Sequence, residues 1–376
     1  MVDSDGVIIN DSLRISNTRK GFDKLYLFIL SVLPDKDISN IKIGLESTGH
    51  YSINIQNFLY AKGFNLSILN PLATNLFPKA QTLRKTKTDK TDALVIAKML
   101  FSDDTRSYSP VSYQIQELKS LTRHRYRLIG YKSNLKISVT RLIDIIFPEF
   151  PKHVWSIHQH SAYCLLSELP NPKEISTCHM TKLTNLLYKA SKGRYGREKA
   201  IELKESAKNS IGTNSRSLSF ELQQTIRLVQ SVQTEIDAVD NQIKEVIIEL
   251  DSPIMTIPGI SYTLASIILA EVGDINRFTD PAKLLAFAGL DPSTYQSGKY
   301  NATHTPMVKR GSKYLRWVIL TAARTVSMRD KSFCDYLAKK QSEGKHYYIA
   351  MSHVAKKLIR VIFYLLKTNI AFAAQI

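Results

Sequence analysis

Apolar residues recur every seven positions through the middle of this chain, at Leu222, Val229, Ile236, Ile243 and Leu250. Val232, Val239 and Val246 fill the companion position. Only a helix brings residues seven apart onto one line, so this repeat limits the segment to a helix with one apolar seam. β-Branched residues at both seam positions, with Glu and Gln between them, predict a coiled coil or a helical hairpin. One long helix packed inside a bundle is the other arrangement that hides such a seam. An uncovered seam of Val and Ile is costly, so self-association of two copies through residues 218–250 is expected. The whole stretch from about 110 to 250 has few glycines and reads as helical, broken by Pro148, Pro151, Pro170 and Pro172. Within it, Lys192-Gly193-Arg194-Tyr195-Gly196-Arg197 reads as a basic turn able to touch nucleic acid.

The flanks differ from the middle and from each other. Residues 1–108 alternate strands and helices. Gly6-Val7-Ile8-Ile9 and Leu13-Arg14-Ile15 read as a hairpin after the turn Asp3-Ser4-Asp5-Gly6. Asn17-Thr18 caps an amphipathic helix over 20–33. The strand 41–45, the helix 52–62 ended by Gly63, and the strand 66–69 form a βαβ unit, hence parallel strands with ligands at their C-terminal ends. The fold class is therefore α/β in this part and α in the rest, with segments 1–108, 109–250 and 251–376. In the last segment, Ile257-Pro258-Gly259-Ile260 enters a helix 262–272, and a second helix 281–288 closes on Gly289. A Pro-Gly turn leading into a small-residue helix resembles a helix-hairpin-helix, whose amides, Gly259 among them, contact phosphate without reading sequence. Helices over 313–328 and 347–367 complete the chain. Trp317 and Tyr314 are expected to pack in its core.

Charge narrows the partner. Fifty-one Lys and Arg against 33 Asp and Glu leave a net charge of +18 over 376 residues, and half of that excess lies in residues 251–376. A basic chain with 18 Tyr, 14 Phe and 44% hydrophobic residues folds real cores and most simply serves a polyanion such as nucleic acid. No apolar run is long enough to span a bilayer, and the first residues lack the pattern of a signal peptide. The three cysteines are widely spaced and carry no Cys-x-x-Cys pattern, which argues against a disulfide framework or a structural zinc. A cytoplasmic protein, nucleoid-associated when bound to DNA, is the expectation.

Three carboxylates could carry chemistry. Glu46 ends the strand 41–45, and Asp89 and Asp92 open an apolar-faced helix, three apart and so on one face. Carboxylates at a strand end and a helix mouth can hold Mg²⁺ ions that clamp a scissile phosphate. The plain alternative makes Asp89 a helix cap and Glu46 a solvated turn residue. His50 and Tyr51 follow Glu46, where His50 could steer a phosphate or serve the turn. Lys309, Arg310, Lys313 and Arg316 fall in a basic turn and the helix after it, and are candidates for DNA phosphates.

The motifs Leu45-Glu46-Ser47-Thr48-Gly49-His50-Tyr51, Asn70-Pro71 and Lys87-Thr88-Asp89-Lys90-Thr91-Asp92-Ala93 resemble the first domain of the IS-one-ten-type insertion-sequence transposases. These are the DEDD transposases, relatives of the pilin-gene invertases. Ile257-Pro258-Gly259-Ile260, Gly289-Leu290-Asp291-Pro292, Tyr295-Gln296-Ser297-Gly298 and Lys309-Arg310-Gly311-Ser312-Lys313-Tyr314-Leu315-Arg316 resemble the family's C-terminal transposase domain, in the same order. The resemblance implies a ribonuclease H-like first domain, similar to Holliday-junction resolvases, in which four acids bind Mg²⁺. Glu46 matches the second, Asp89 the third and Asp92 the fourth. It implies Ser297 as the nucleophile that joins DNA through phosphoserine, and a structured guide RNA as partner beside donor and target DNA. A junction-resolving nuclease that uses the acids with water, and an inactive DNA-binding remnant, are the rival readings.

One element of the family pattern has no counterpart. Its first acid lies on an opening strand, whereas this sequence opens within the following hairpin, where Asp3 and Asp5 are poor substitutes. The expectation is that the DNA just upstream of the Met1 codon encodes, in frame, an apolar strand containing an aspartate.

Overall fold

The computed structural model describes all residues except 4, 11–12, 35–36, 48–49, 82–87, 102–107, 109–111, 294–295, 298–299, 302–304 and 374–376. The chain forms two compact units, Met1–Pro110 and Val111–Ile376.

In the first unit, α1 (Arg19–Val32) starts at Thr18, whose hydroxyl accepts from the Gly21 amide. It buries Phe22 and Ile29. Strand β1 (Lys42–Glu46) and strand β2 (Asn65–Leu69) flank α2 (Ile53–Ala61) and pair in parallel, with Glu46 opposite Leu69. The short crossover through one helix is what makes the pairing parallel. Helices α3 (Pro71–Gln81) and α4 (Asp89–Met99) follow. Gly44 lets α4 lie directly on β1, because a Cβ there would stand 2.7 Å from Ile96 Cγ2. The expected hairpin forms earlier in the chain than its pattern suggested. Val2 bridges Ile8 around a turn in which the Asp3 carboxylate accepts from the Asp5 and Val7 amides, so residues 13–15 stay outside it. The Asx-type bonds of Asp3 outcompete the alternation further along.

Among the described residues β1 pairs with β2 alone. An apolar cleft of about 740 Å³ lies against β1, lined by Leu25, Ile29, Ile43, Ile55 and Ile96 among others.

The second unit is almost entirely helical. Helix α5 (Tyr113–Ile146) leads to α6 (His160–Glu168), α7 (Pro172–Thr177), α8 (Met180–Ala190) and α9 (Arg197–Lys208), and then to α10 (Arg216–Leu250). The heptad seam of α10 is covered within the chain: Leu222, Val229, Ile236, Ile243 and Val246 are buried, and α5 is its main partner. The two helices run antiparallel. Arg125 holds Asp240 with two bonds of 2.5 and 3.0 Å, Lys132 bonds Gln233, and Arg141 bonds Glu221 at 2.7 Å, so partner numbers fall as α5 proceeds. This corrects the ground for expecting association through 218–250, because the seam already has its cover. Spacing identified the face but not what would fill it.

Two cores lie along this helix pair. One gathers Leu142, Phe147, Phe150, Leu165, Leu183 and Leu222. The other joins Leu118, Ile243 and Ile247 to the C-terminal helices, so packing runs without a gap across residue 250. Those helices are α11 (Tyr262–Val272), α12 (Pro281–Ala288), α13 (Lys313–Ser327), α14 (Lys331–Ser342) and α15 (Tyr347–Thr368). Strands β3 (Gln296–Ser297) and β4 (Tyr300–Asn301) form a small ribbon between α12 and α13. Helix α14 had no counterpart in the sequence reading, although Asp330 caps it by accepting from the Phe333 amide. Trp317 is corrected too: it is 47% exposed rather than part of the core. No helix among the described residues is long and apolar enough to cross a membrane.

Candidate active site

Glu46 closes β1, where the parallel strands end. Its Oε2 accepts from the Thr74 hydroxyl at 3.1 Å, and the same hydroxyl lies 3.0 Å from the Pro71 carbonyl. The Asn70-Pro71 step thus has a local function. It starts α3 directly after β2 and brings buried Thr74 to the strand-end carboxylate.

Asp89 and Asp92 occupy the first turn of α4. The cap is Thr88, in a reciprocal box with Thr91, so neither aspartate is needed for capping. The Asp89 carboxylate is 99% exposed and sits 3.6 Å from Arg14 Nη2, a pair that adds little stability in water. Asp92 is half-buried. Among the described residues, no three His, Cys, Asp or Glu side chains gather into a group that could hold a metal. His50 stacks its ring 4.1 Å from that of Tyr51, whose side chain is exposed. Lys87, Thr48 and Gly49 lie outside the described residues.

Ser297 belongs to the second unit. Its backbone pairs with Tyr300 in the β3–β4 ribbon, while Tyr295 and Gly298 of its motif lie outside the described residues. The base of the ribbon is tied by Ser293 N to Pro306 O (2.8 Å), Val308 N to Asp291 O (3.0 Å) and Lys309 N to Gly289 O (3.2 Å). The ribbon thus rises from the junction of α12 with the basic turn.

That junction explains two glycines. Gly289 ends α12 at φ +66°, where a Cβ would meet the Arg310 carbonyl at 2.3 Å, and Gly311 at φ +109° lies flush on the Phe287 carbonyl. The basic turn is thereby pressed against α12, with Lys309 and Arg310 exposed. Arg316 is committed elsewhere: its Nη1 donates to the carbonyls of Lys309 (3.0 Å) and Ala288 (3.4 Å), bracing the turn from beneath. Gly259, at φ +94°, abuts the Thr325 carbonyl at the end of α13, and Ser261 caps α11 by accepting from Leu264 N. Arg316 and Gly259 thus both have a structural role in the unit.

The sequence reading missed the group beneath the turn. Glu271, 3% exposed, accepts from Arg123 Nε at 3.0 Å and Nη2 at 3.3 Å, and from the Ser312 hydroxyl at 2.7 Å. Ser312 also caps α13 by accepting from Leu315 N. One buried carboxylate thus links α5, α11 and the start of α13. A single acid inside the apolar run Tyr262–Val272 was the available signal, since a buried carboxylate needs a cationic partner. Its partner stands 148 residues away, beyond any local pattern.

Comparison with known proteins finds two family matches. A model of DEDD-type IS110 transposases matches residues 1–148, and one described as the transposase IS116/IS110/IS902 family matches residues 251–338. A 44.8 kDa protein of insertion element IS116 from Streptomyces clavuligerus is 25% identical over 90% of this chain and 85% of its own length. The mini-circle putative transposase for IS117 of Streptomyces coelicolor is 22% identical over 100% and 92%. The pilin gene-inverting protein of Moraxella bovis is 22% identical over 96% and 90%. These matches define a DNA transposase and recombinase class. The chain belongs to the IS110-type transposase family.

Proposed function

We propose that this chain moves or inverts DNA by cutting and rejoining strands, with Ser297 as nucleophile and Glu46, Asp89 and Asp92 as the acidic group that makes it possible. The observation that carries the reading is the order of the two family matches: acids in the first unit, the Ser297 ribbon and its basic turn in the second. In the chemical step the Ser297 hydroxyl oxygen bonds to a backbone phosphorus and a deoxyribose oxygen leaves with a proton. The resulting phosphoserine is then attacked by another strand's hydroxyl, which restores a phosphodiester and releases the serine. A serine is a weak nucleophile at its free pKa, so it needs an adjacent base to take its proton. Mg²⁺ enters from the family alone, because the three acids are not gathered as they stand. A ribonuclease H-like first unit and a structured guide RNA likewise belong to the reading on the family's account, and the exposed Lys309, Arg310 and Lys313 suit either nucleic acid.

The test is to incubate the chain with DNA carrying the element's ends and divalent metal, then resolve products under denaturing conditions. A covalent protein–DNA adduct supports the proposal. Cleavage of branched DNA without an adduct would favour a junction-resolving nuclease, and salt-sensitive binding with neither would favour a DNA-binding remnant. Glu46→Gln and Asp92→Asn are expected to lower the joining rate by on the order of 10²-fold or more, as loss of a carboxylate that would hold a divalent cation at the reacting phosphate does. Both variants should keep the wild-type circular dichroism. Unchanged joining rates would remove these acids from the reaction.

A further inference from the structure

Where α5 meets the start of α13, cations and aromatic rings converge outside any residue set discussed above as reactive. Tyr126 and Tyr314 pack edge to face, 4.9 Å between centroids. Arg123 lies 5.0 Å from the Tyr314 ring, and Lys313 Nζ lies 5.2 Å from it and 5.9 Å from Tyr126. Lys119 stands one helical turn before Arg123 on α5, half-buried. The carboxylate set among these charges is Glu271, and Arg123 and Ser312 already occupy it.

We propose that this surface binds an unpaired nucleic-acid strand, with Lys119 and Lys313 on its phosphates and Tyr126 and Trp317 stacked on its bases. The inference rests on the transposase reading and adds to it the contact surface on α5. Three observations support it. Tyr126 is 43% and Trp317 47% exposed, so two large rings stand in water among cations. That pairing of rings and cations is how single strands are held without regard to sequence. Trp317 follows Lys313 by four and Tyr314 by three, which places all three on neighbouring faces of α13. Burial, and then the charge of Arg123, push the Lys119 ammonium below its usual range against the pull of Glu271, with Arg277 adding to the crowding. Glu271 acts as a positioning residue: by holding Arg123 and Ser312 it fixes α5 against the cap of α13. The surface also lies at the foot of the ribbon that carries Ser297, since Ser312 N donates to Phe287 O and Lys309 N to Gly289 O.

The test uses the full chain with Trp155→Phe, which leaves Trp317 as the reporter because the chain has two tryptophans. Titration with oligo-dT, oligo-rU and duplex DNA, each about twelve units long, is followed by Trp317 fluorescence and by anisotropy at several salt concentrations. Quenching of Trp317 by a single strand is expected, with duplex weaker. Tyr126→Ala should weaken strand binding about tenfold and Tyr126→Phe should restore it. Lys119→Gln with Lys313→Gln should reduce the slope of log K against log salt by about 1.4, two contacts at ~0.7 each. Tighter binding of dT identifies a DNA strand as the occupant, and tighter binding of rU an RNA. Strand binding with Trp317 unquenched and Tyr126→Ala unchanged overturns this surface and leaves the transposase reading standing. Absence of all nucleic-acid binding overturns both. Should a variant fail to fold, the quench in the Trp155→Phe chain still decides.

Discussion

Ser297→Ala is expected to abolish covalent attachment to DNA while leaving DNA affinity within a few-fold of wild type. The separation follows from what the residue contributes. A hydroxyl oxygen is the only atom lost, and with it the bond to phosphorus that defines the intermediate. On the proposed reading binding is carried by cations elsewhere, among them Lys309 and Arg310 in the exposed turn, and those are untouched. The ribbon should also survive. Ser297 pairs with Tyr300 through its backbone, and the clamps at its base involve Asp291, Ser293, Pro306, Val308 and Lys309. Denaturing gels of a radiolabelled DNA substrate measure attachment, and anisotropy measures binding. An adduct that persists in the alanine variant would take Ser297 out of the mechanism. Loss of affinity by orders of magnitude would instead make it a binding residue.

The second large effect is on stability. Ile236→Asp places a carboxylate where α10 faces α5, at a position 4% exposed. Arg125 is already paired with Asp240, whereas Lys132, bonded to the neutral Gln233, and Lys136 line the same hollow as Ile236. The lost apolar burial and the desolvation of the new carboxylate together cost about 3–5 kcal/mol. The melting temperature of the second unit is therefore expected to fall by about 10 °C, at the ~2–4 °C per kcal/mol usual for a large domain. Calorimetry gives the shift, and sedimentation run alongside gives the mass. A variant of unchanged stability that merely dissociates would show that the seam pairs between copies rather than with α5.

Both predictions mark the line between what local patterns carry and what they omit. The ends of helices were legible because a cap bond spans only two or three residues: Thr18, Ser261, Asp280 and Ser312 each satisfy amides just ahead of them. The βαβ unit was legible for the same reason, since a short helix between two apolar runs leaves only a parallel pairing. Ordered motifs led to the family, and put Glu46 on a strand end and Asp89 and Asp92 on a helix mouth; the segment around Ser297 read as a loop, and its pairing with Tyr300 came from the structure.

The amino-acid sequence by itself determined that most of the chain is helical, where several of its helices begin, which faces are apolar and which family the chain enters. Tertiary structure alone decided what those faces meet. It laid α5 along the heptad of α10, turned Arg316 onto the carbonyls of Ala288 and Lys309, and left Trp317 in water. It also joined Arg123 to Glu271 across 148 residues and left the three acids ungathered. The physical reason is range. Capping and periodicity act within a few residues, whereas the partner of a seam, a guanidinium or a buried carboxylate is chosen by the packing of the whole unit.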